Sequence, residues 1–194
     1  MSKSDSAAAK KERNKTIRWV VTIFFVTMLV SGVISLASDR IMSASGIVVA
    51  FLILLVIILL GIIFDIIGVA VTSADEKPFH SMAARKVSGA QDAIKLLRNA
   101  ERVSSICNDV IGDICGVVSG SASATIAAQV IMSLEFGWPQ LITLTMSALV
   151  AGLTVGGKAI GKTFAIESST KIVYTVGRIL YSLHQFPWIG KKKK

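Results

Sequence analysis

The chain has 194 residues, of which 53% are hydrophobic and only 17% charged, with a formal net charge of +9; its mean hydropathy is +0.67. A soluble domain carries closer to a quarter charged residues, so this balance excludes an ordinary globular domain and favours a membrane class. In a soluble protein the basic excess would raise nucleic-acid binding. Here the basic residues flank apolar stretches and close on Lys191 to Lys194, a placement that suits the anionic headgroups of a bilayer and not nucleic acid.

Residues 1–15, MSKSDSAAAKKERNK, read as a disordered basic arm. Ile17 to Ala37 follows, an apolar run of about 20 residues that can span a bilayer. It is long for the core of a signal peptide, and Ala37-Ser38-Asp39 is a weak cleavage site, so the run reads as a retained span. With its outer loop this extra amino-terminal helix takes residues 16–45. A second span is predicted from Gly46 to about Thr72; its core, IVVAFLILLVIILLGIIF, is apolar on every face. Asp65 interrupts that run and is followed by the small residues Gly68 and Ala70.

Residues 75–102 change character, with Lys77, Arg85, Lys86, Lys95, Arg98 and Arg102 supplying positive charge. Pro78 can start one short helix, and Ser88-Gly89 separates it from a second. In the second, Ala90, Ala93, Ile94 and Leu97 form a stripe opposite Asp92 and Arg98-Asn99, which predicts an amphipathic hairpin lying apolar side down on the membrane. The third span, VSSICNDVIGDICGVVSGSASATIAAQVIMSL, covers residues 103–134. Trp138 in the loop from Glu135 to Gln140 is placed as an interfacial anchor, and the fourth span runs from Leu141 to about Gly157 before Lys158 and Lys162. After Ser168-Ser169, a plausible N-cap, Ile172, Val173, Val176, Ile179, Leu180 and Leu183 line one face of a juxtamembrane helix over 168–185. Residues 186–194 are a basic tail, with Trp188 at the interface.

The fold class expected is therefore all-α: a polytopic membrane protein with four transmembrane helices, a cytosolic amphipathic hairpin and a carboxy-terminal juxtamembrane helix. Lysine and arginine collect in the amino-terminal arm, in the hairpin and after Lys158, while the two opposite loops hold only Arg40. The positive-inside rule then predicts a multi-pass cell-membrane protein with both termini cytoplasmic.

The third span carries Asn108, Asp109 and Asp113 within apolar sequence. A carboxylate there is costly and should face a partner, a water-filled cavity or an ion. Counted at 1.5 Å per residue, Asp65 and Lys158 lie roughly 29 and 26 Å from the outer ends of their spans. Asp109 and Asp113 lie roughly 9 to 15 Å from the inner end of theirs. All four fall in the inner half of a core about 30 Å thick. Spacing of i, i+4 puts Asp109 and Asp113 on one helix face, with Asn108 and Ser105 beside it. Carboxylate, amide and hydroxyl oxygens suit a hard divalent cation, so one reading is a metal site made by Asp65, Asn108, Asp109, Asp113 and Ser105. A second is a static network in which Lys158 neutralises an aspartate, and a third is a set of solvated interfacial carboxylates.

Gly112, Gly116, Gly120 and Ala124 recur every fourth position, as do Gly152 and Gly156, and such small faces favour close helix packing within the bundle or at a homodimer seam. Cys107 and Cys115 stand roughly 12 Å apart along one helix, too far for a disulfide. His80 and His184 are lone, and Ser119, Ser121 and Ser123 lack the elbow or acid–base companions of a nucleophile. Neither an enzyme nor a cofactor is expected.

Four segments, in order, resemble the transmembrane domain of the cyclin-M/CorC magnesium and cobalt transport family. FDIIGVAVTSAD resembles its small-residue helix end; AIKLLRNAERVSSI, its leucine-rich hairpin segment; GGKAIGKTFAIESSTKIVY, its Gly-Glu-x-x-Pro-Lys-Thr segment and following helix; and the polar third span fits as well. Lys162 and Thr163 match that motif directly, whereas Lys158 stands where the family has an acid. The resemblance covers about residues 46–185, without the nucleotide-binding CBS pair usual downstream. It implies divalent cation transport or homeostasis, with Mg²⁺ as the bound substrate, a homodimer and a possible separate regulatory subunit. The alternative is a non-transporting membrane subunit in which Lys158 occupies a degenerate cation site.

Overall fold

The computed structural model describes residues 3–134 and 138–185, and every regular element among them is helical. Helix α1 runs over Lys3–Ser43, α2 over Ile47–Ser73, α3 over Lys77–Ala84, α4 over Ala90–Arg98 and α5 over Ala100–Ser105. A π-helical segment, Ile106–Gly112, joins α5 to α6, Asp113–Leu134; α7 (Pro139–Glu167) and α8 (Ser169–Gln185) complete the fold. Four stretches are long and apolar enough to cross a membrane: Ile17–Ser43, Ile47–Ser73, Ala100–Ser133 and Pro139–Glu167. The protein is thus the all-helical, polytopic type that its composition implies. Residues 186–194, expected as a basic tail, and residues 135–137 of the loop expected over 135–140 lie outside the described residues.

Helix α2 is the axis of the bundle, packed against both α6 and α7, while α1 lies along α6. Its sequence gives the reason: an apolar surface on every side can face protein on one flank and lipid on the other. Leu54 and Ile58 turn inward against Ala122, Ile126 and Val150 in one core, whereas Leu52, Leu55 and Leu59 of the same helix are exposed. A second core, nearer the hairpin, gathers Ala70, Val71, Phe79, Ala93, Ala165 and Val173. It fixes the hairpin to the ends of α2 and α7 and to α8. The apolar face of the hairpin is therefore largely covered by protein, not laid on lipid.

Helix α1 differs from expectation at its start. Residues 3–15, predicted as a disordered arm, continue the helix. Ala7, Ala8 and Ala9 followed by lysine, glutamate and arginine are strong helix formers, and they extend an existing helix without a new nucleus. The span docks on α5 at one end and on α6 at the other. Arg102 stacks 5.6 Å from the ring centre of Trp19 at one end. At the other, Gln129 Nε2 donates to the Met42 carbonyl at 2.9 Å and Thr125 Oγ1 to Asp39 Oδ1 at 3.3 Å.

Close backbone approach sets the remaining geometry. Gly89, with φ +85°, abuts the backbone of Gly177 and Arg178, so α4 and α8 nearly touch. A Cβ on Gly61 would stand 2.9 Å from that of Cys115, which brings α2 against the start of α6. Gly157 and Gly161 receive the side chains of Ile62 and Ile66, which seats α7 on the opposite flank of α2.

Candidate ion-pair site in the membrane

Where α2, the π-helical segment and α7 converge, Lys158 Nζ lies 3.8 Å from Asp65 Oδ1. The aspartate is deeply enclosed, with 6% of its side chain exposed, against 23% for the lysine. Gly112 lies beside the ammonium: a Cβ there would stand 3.4 Å from Nζ, an ordinary contact, and 3.3 Å from the Cys107 carbonyl oxygen. In a low-dielectric interior the pair costs much to desolvate and is held by mutual attraction. Lys158 thus sits opposite the carboxylate at the depth that residue counting gave both.

The neighbouring amide completes the centre. The side chain of Asn108 presses against Gly68, in the space a Cβ would need. Its Nδ2 donates to Ser104 Oγ at 3.1 Å. Its Oδ1 and Asp65 Oδ2 are both buried without a hydrogen-bond partner. Unpaired buried oxygens are expensive, and these two lie on helices that pack together, α2 and the π-helical segment.

Asp109 and Asp113 are not part of this centre. Both are exposed on the outer side of the third span, and Asp109 Oδ2 accepts from Ser105 Oγ at 2.8 Å. The physical reason is the π-helical segment from Ile106 to Gly112. A wider turn there shifts the helical phase, so Cys107 and Gly112 point inward while Asp109 points out. Among the described residues, no three His, Cys, Asp or Glu side chains gather as a metal would require. Of the five residues expected to form a metal site, Asp65 and Asn108 are the two that lie inside the bundle, with Lys158 beside Asp65.

The small residues divide in the same way. Gly112 is buried and serves the site, whereas Gly116, Gly120, Gly152 and Gly156 have open space where a Cβ would stand. Intramolecular packing does not use these last four. Asp92, assigned to the polar face of the hairpin, is instead buried and paired with Lys95 Nζ at 2.8 Å.

Sequence reasoning missed Ser104 and the role of Gly68. The available signal was Ser104 lying four residues before Asn108, one turn away on the same helix. No comparable signal marked the Asp39–Thr125 contact. These features define a helical polytopic membrane protein with a charged pair and the half-satisfied amide of Asn108 set between its apolar helices. Comparisons with family models, with curated proteins and with solved structures gave no match.

Proposed function

We propose that this polytopic membrane protein is a component of cation homeostasis whose intramembrane cation position is filled by its own Lys158. It acts as a membrane subunit or regulator, not as an open pathway. The observation that carries the reading is the Lys158–Asp65 contact at 3.8 Å, made across two spans beside Gly112. A tethered ammonium of one charge neutralises the single carboxylate and leaves no net negative charge for Mg²⁺, which prefers carboxylate oxygen. The resemblance to cyclin-M/CorC proteins agrees with this, since Lys158 stands at the acidic position of that motif.

A second reading is divalent cation transport with Lys158 displaced in turn. The unpaired Asp65 Oδ2 and Asn108 Oδ1 favour it, because both supply the oxygen chemistry a hard cation wants.

The test is Mg²⁺ and Co²⁺ binding and flux for the native protein, Lys158→Glu and Asp65→Asn in proteoliposomes. The subunit reading expects no native flux, with metal binding gained in Lys158→Glu. Native flux abolished by Asp65→Asn would establish the second reading and overturn the first. If Lys158→Glu binds no metal and the native protein moves none, both cation readings fail.

A further inference from the structure

At the hairpin end of the molecule, the turn between α3 and α4 and the last turns of α8 enclose a half-open cavity of about 440 Å³. Its walls include Lys86, Gln91, Lys95, Tyr181 and His184. We propose that this cavity binds a phosphate group carried on a larger polar body, such as a phospholipid headgroup.

The charge of the walls is the first support. Lys86 and Lys95 bring two ammonium groups, and His184 a third nitrogen donor, against the single carboxylate of Asp92, which Lys95 already pairs at 2.8 Å. The surplus is positive and converges on a hollow, unlike a charge spread over a convex face. Phosphate oxygens accept hydrogen bonds in the directions these side chains offer.

Local backbone chemistry is the second support. Helix α3 ends with Val87 N–H donating to the Met82 carbonyl at 3.0 Å and Lys86 N–H to the Ala83 carbonyl at 2.9 Å. This double closure places residue 86 in the left-handed region, φ 56°, where glycine is the natural occupant. Lysine there bears a steric cost that the closure alone does not need, and it puts an ammonium on the cavity wall. Beyond the turn, α4 begins at Gly89 with no side-chain cap, and its first N–H, that of Ala90, closes the turn by donating to the Val87 carbonyl at 3.2 Å.

Size and position then indicate the ligand. The volume exceeds that of a bare phosphate and admits a headgroup. The opposite face of α8 exposes Ile179 and Leu183, an apolar surface suited to contact with a bilayer.

The experiment uses the full chain in zwitterionic detergent. The unfolding midpoint is followed with short-chain phosphatidic acid, glycerol phosphate, inorganic phosphate and short-chain phosphatidylcholine. Lys86→Gly is the decisive variant, because relief of the left-handed lysine raises its midpoint without ligand while removing a binding group. The native protein is expected to gain several degrees with phosphatidic acid, and Lys86→Gly and His184→Gln to weaken that binding by about tenfold or more. An equal gain with glycerol phosphate assigns the site to soluble phosphate compounds, and a gain with phosphatidic acid alone assigns it to lipid. No gain with any phosphate compound, or an undiminished gain in Lys86→Gly, overturns the proposal.

Discussion

The side chain of Asn108 stands in the space that a Cβ of residue 68 would fill. That contact joins the second span to the π-helical segment, and it aims the amide at the same junction that holds Asp65 and Lys158. Gly68→Ala is therefore an overpacking substitution, expected to cost about 1–3 kcal/mol. Combining it with Asn108→Ala should recover most of the loss, since the clash is with that one side chain. Thermal unfolding in detergent measures both, and a double variant no better than the single would show that the strain lies elsewhere.

Asp65 and Lys158 should behave as a coupled pair. Removing only the lysine, in Lys158→Met, leaves a buried carboxylate uncompensated and should cost about 3–5 kcal/mol. The double variant Asp65→Asn with Lys158→Met should lose well under the sum of the single losses. A double-mutant cycle on unfolding free energies reads the coupling directly. Additive losses would mean that the 3.8 Å approach contributes no net attraction.

The glycines offer an internal contrast. Gly61→Ala should destabilise by about 1–3 kcal/mol, because its Cβ would meet Cys115. Gly120→Ala and Gly152→Ala meet open space and should stay within about 0.5 kcal/mol of the native protein. Chemical cross-linking in membranes adds a second readout: if those open faces form a homodimer seam, cross-linked dimer should fall while the unfolding midpoint holds. Unchanged cross-linking would remove both faces from any seam.

The attachment of α1 rests on few polar contacts. Gln129→Leu removes the bond to the Met42 carbonyl and should cost about 1 kcal/mol, with loosening confined to the outer end of the span. Cysteines introduced at Ser43 and Ser133 would report that loosening as a change in disulfide yield, while a pair near Trp19 and Arg102 should be unaffected. A uniform change at both ends would argue that the helix moves as a rigid rod.

Much of the architecture was legible because hydrophobic length is a strong, local signal. Ile17–Ser43 and Ile47–Ser73 match the first two predicted spans to within a turn or two at each end, and the hairpin breaks at Ser88-Gly89 as turn chemistry requires. Counting rise per residue put Asp65 and Lys158 at matching levels of their helices, and the two side chains meet at 3.8 Å. It failed to place Asp109 and Asp113 on the same side as the site, because azimuth around a helix accumulates every irregularity before it. No composition rule announces a π-helical turn at ICNDVIG. Asp92 was misplaced for a related reason: its burial depends on α8 crossing above α4, a tertiary fact absent from the local pattern.

The seven-residue π-helical turn also acts as a phase adjuster between two rotational frames. Upstream of it, α5 must meet the hairpin and the end of α2; downstream, α6 must present Ile114, Val118 and Ala122 to the bundle. Were all seven residues to take regular α-helical bonding instead, the two frames would slip by about 100° against each other. Such a chain would keep its composition, its hydropathy profile and its spans, yet α6 would turn Ile114, Val118 and Ala122 away from the bundle. The bonding of this short turn therefore governs which face of α6 looks inward, independently of the residues that α6 contains.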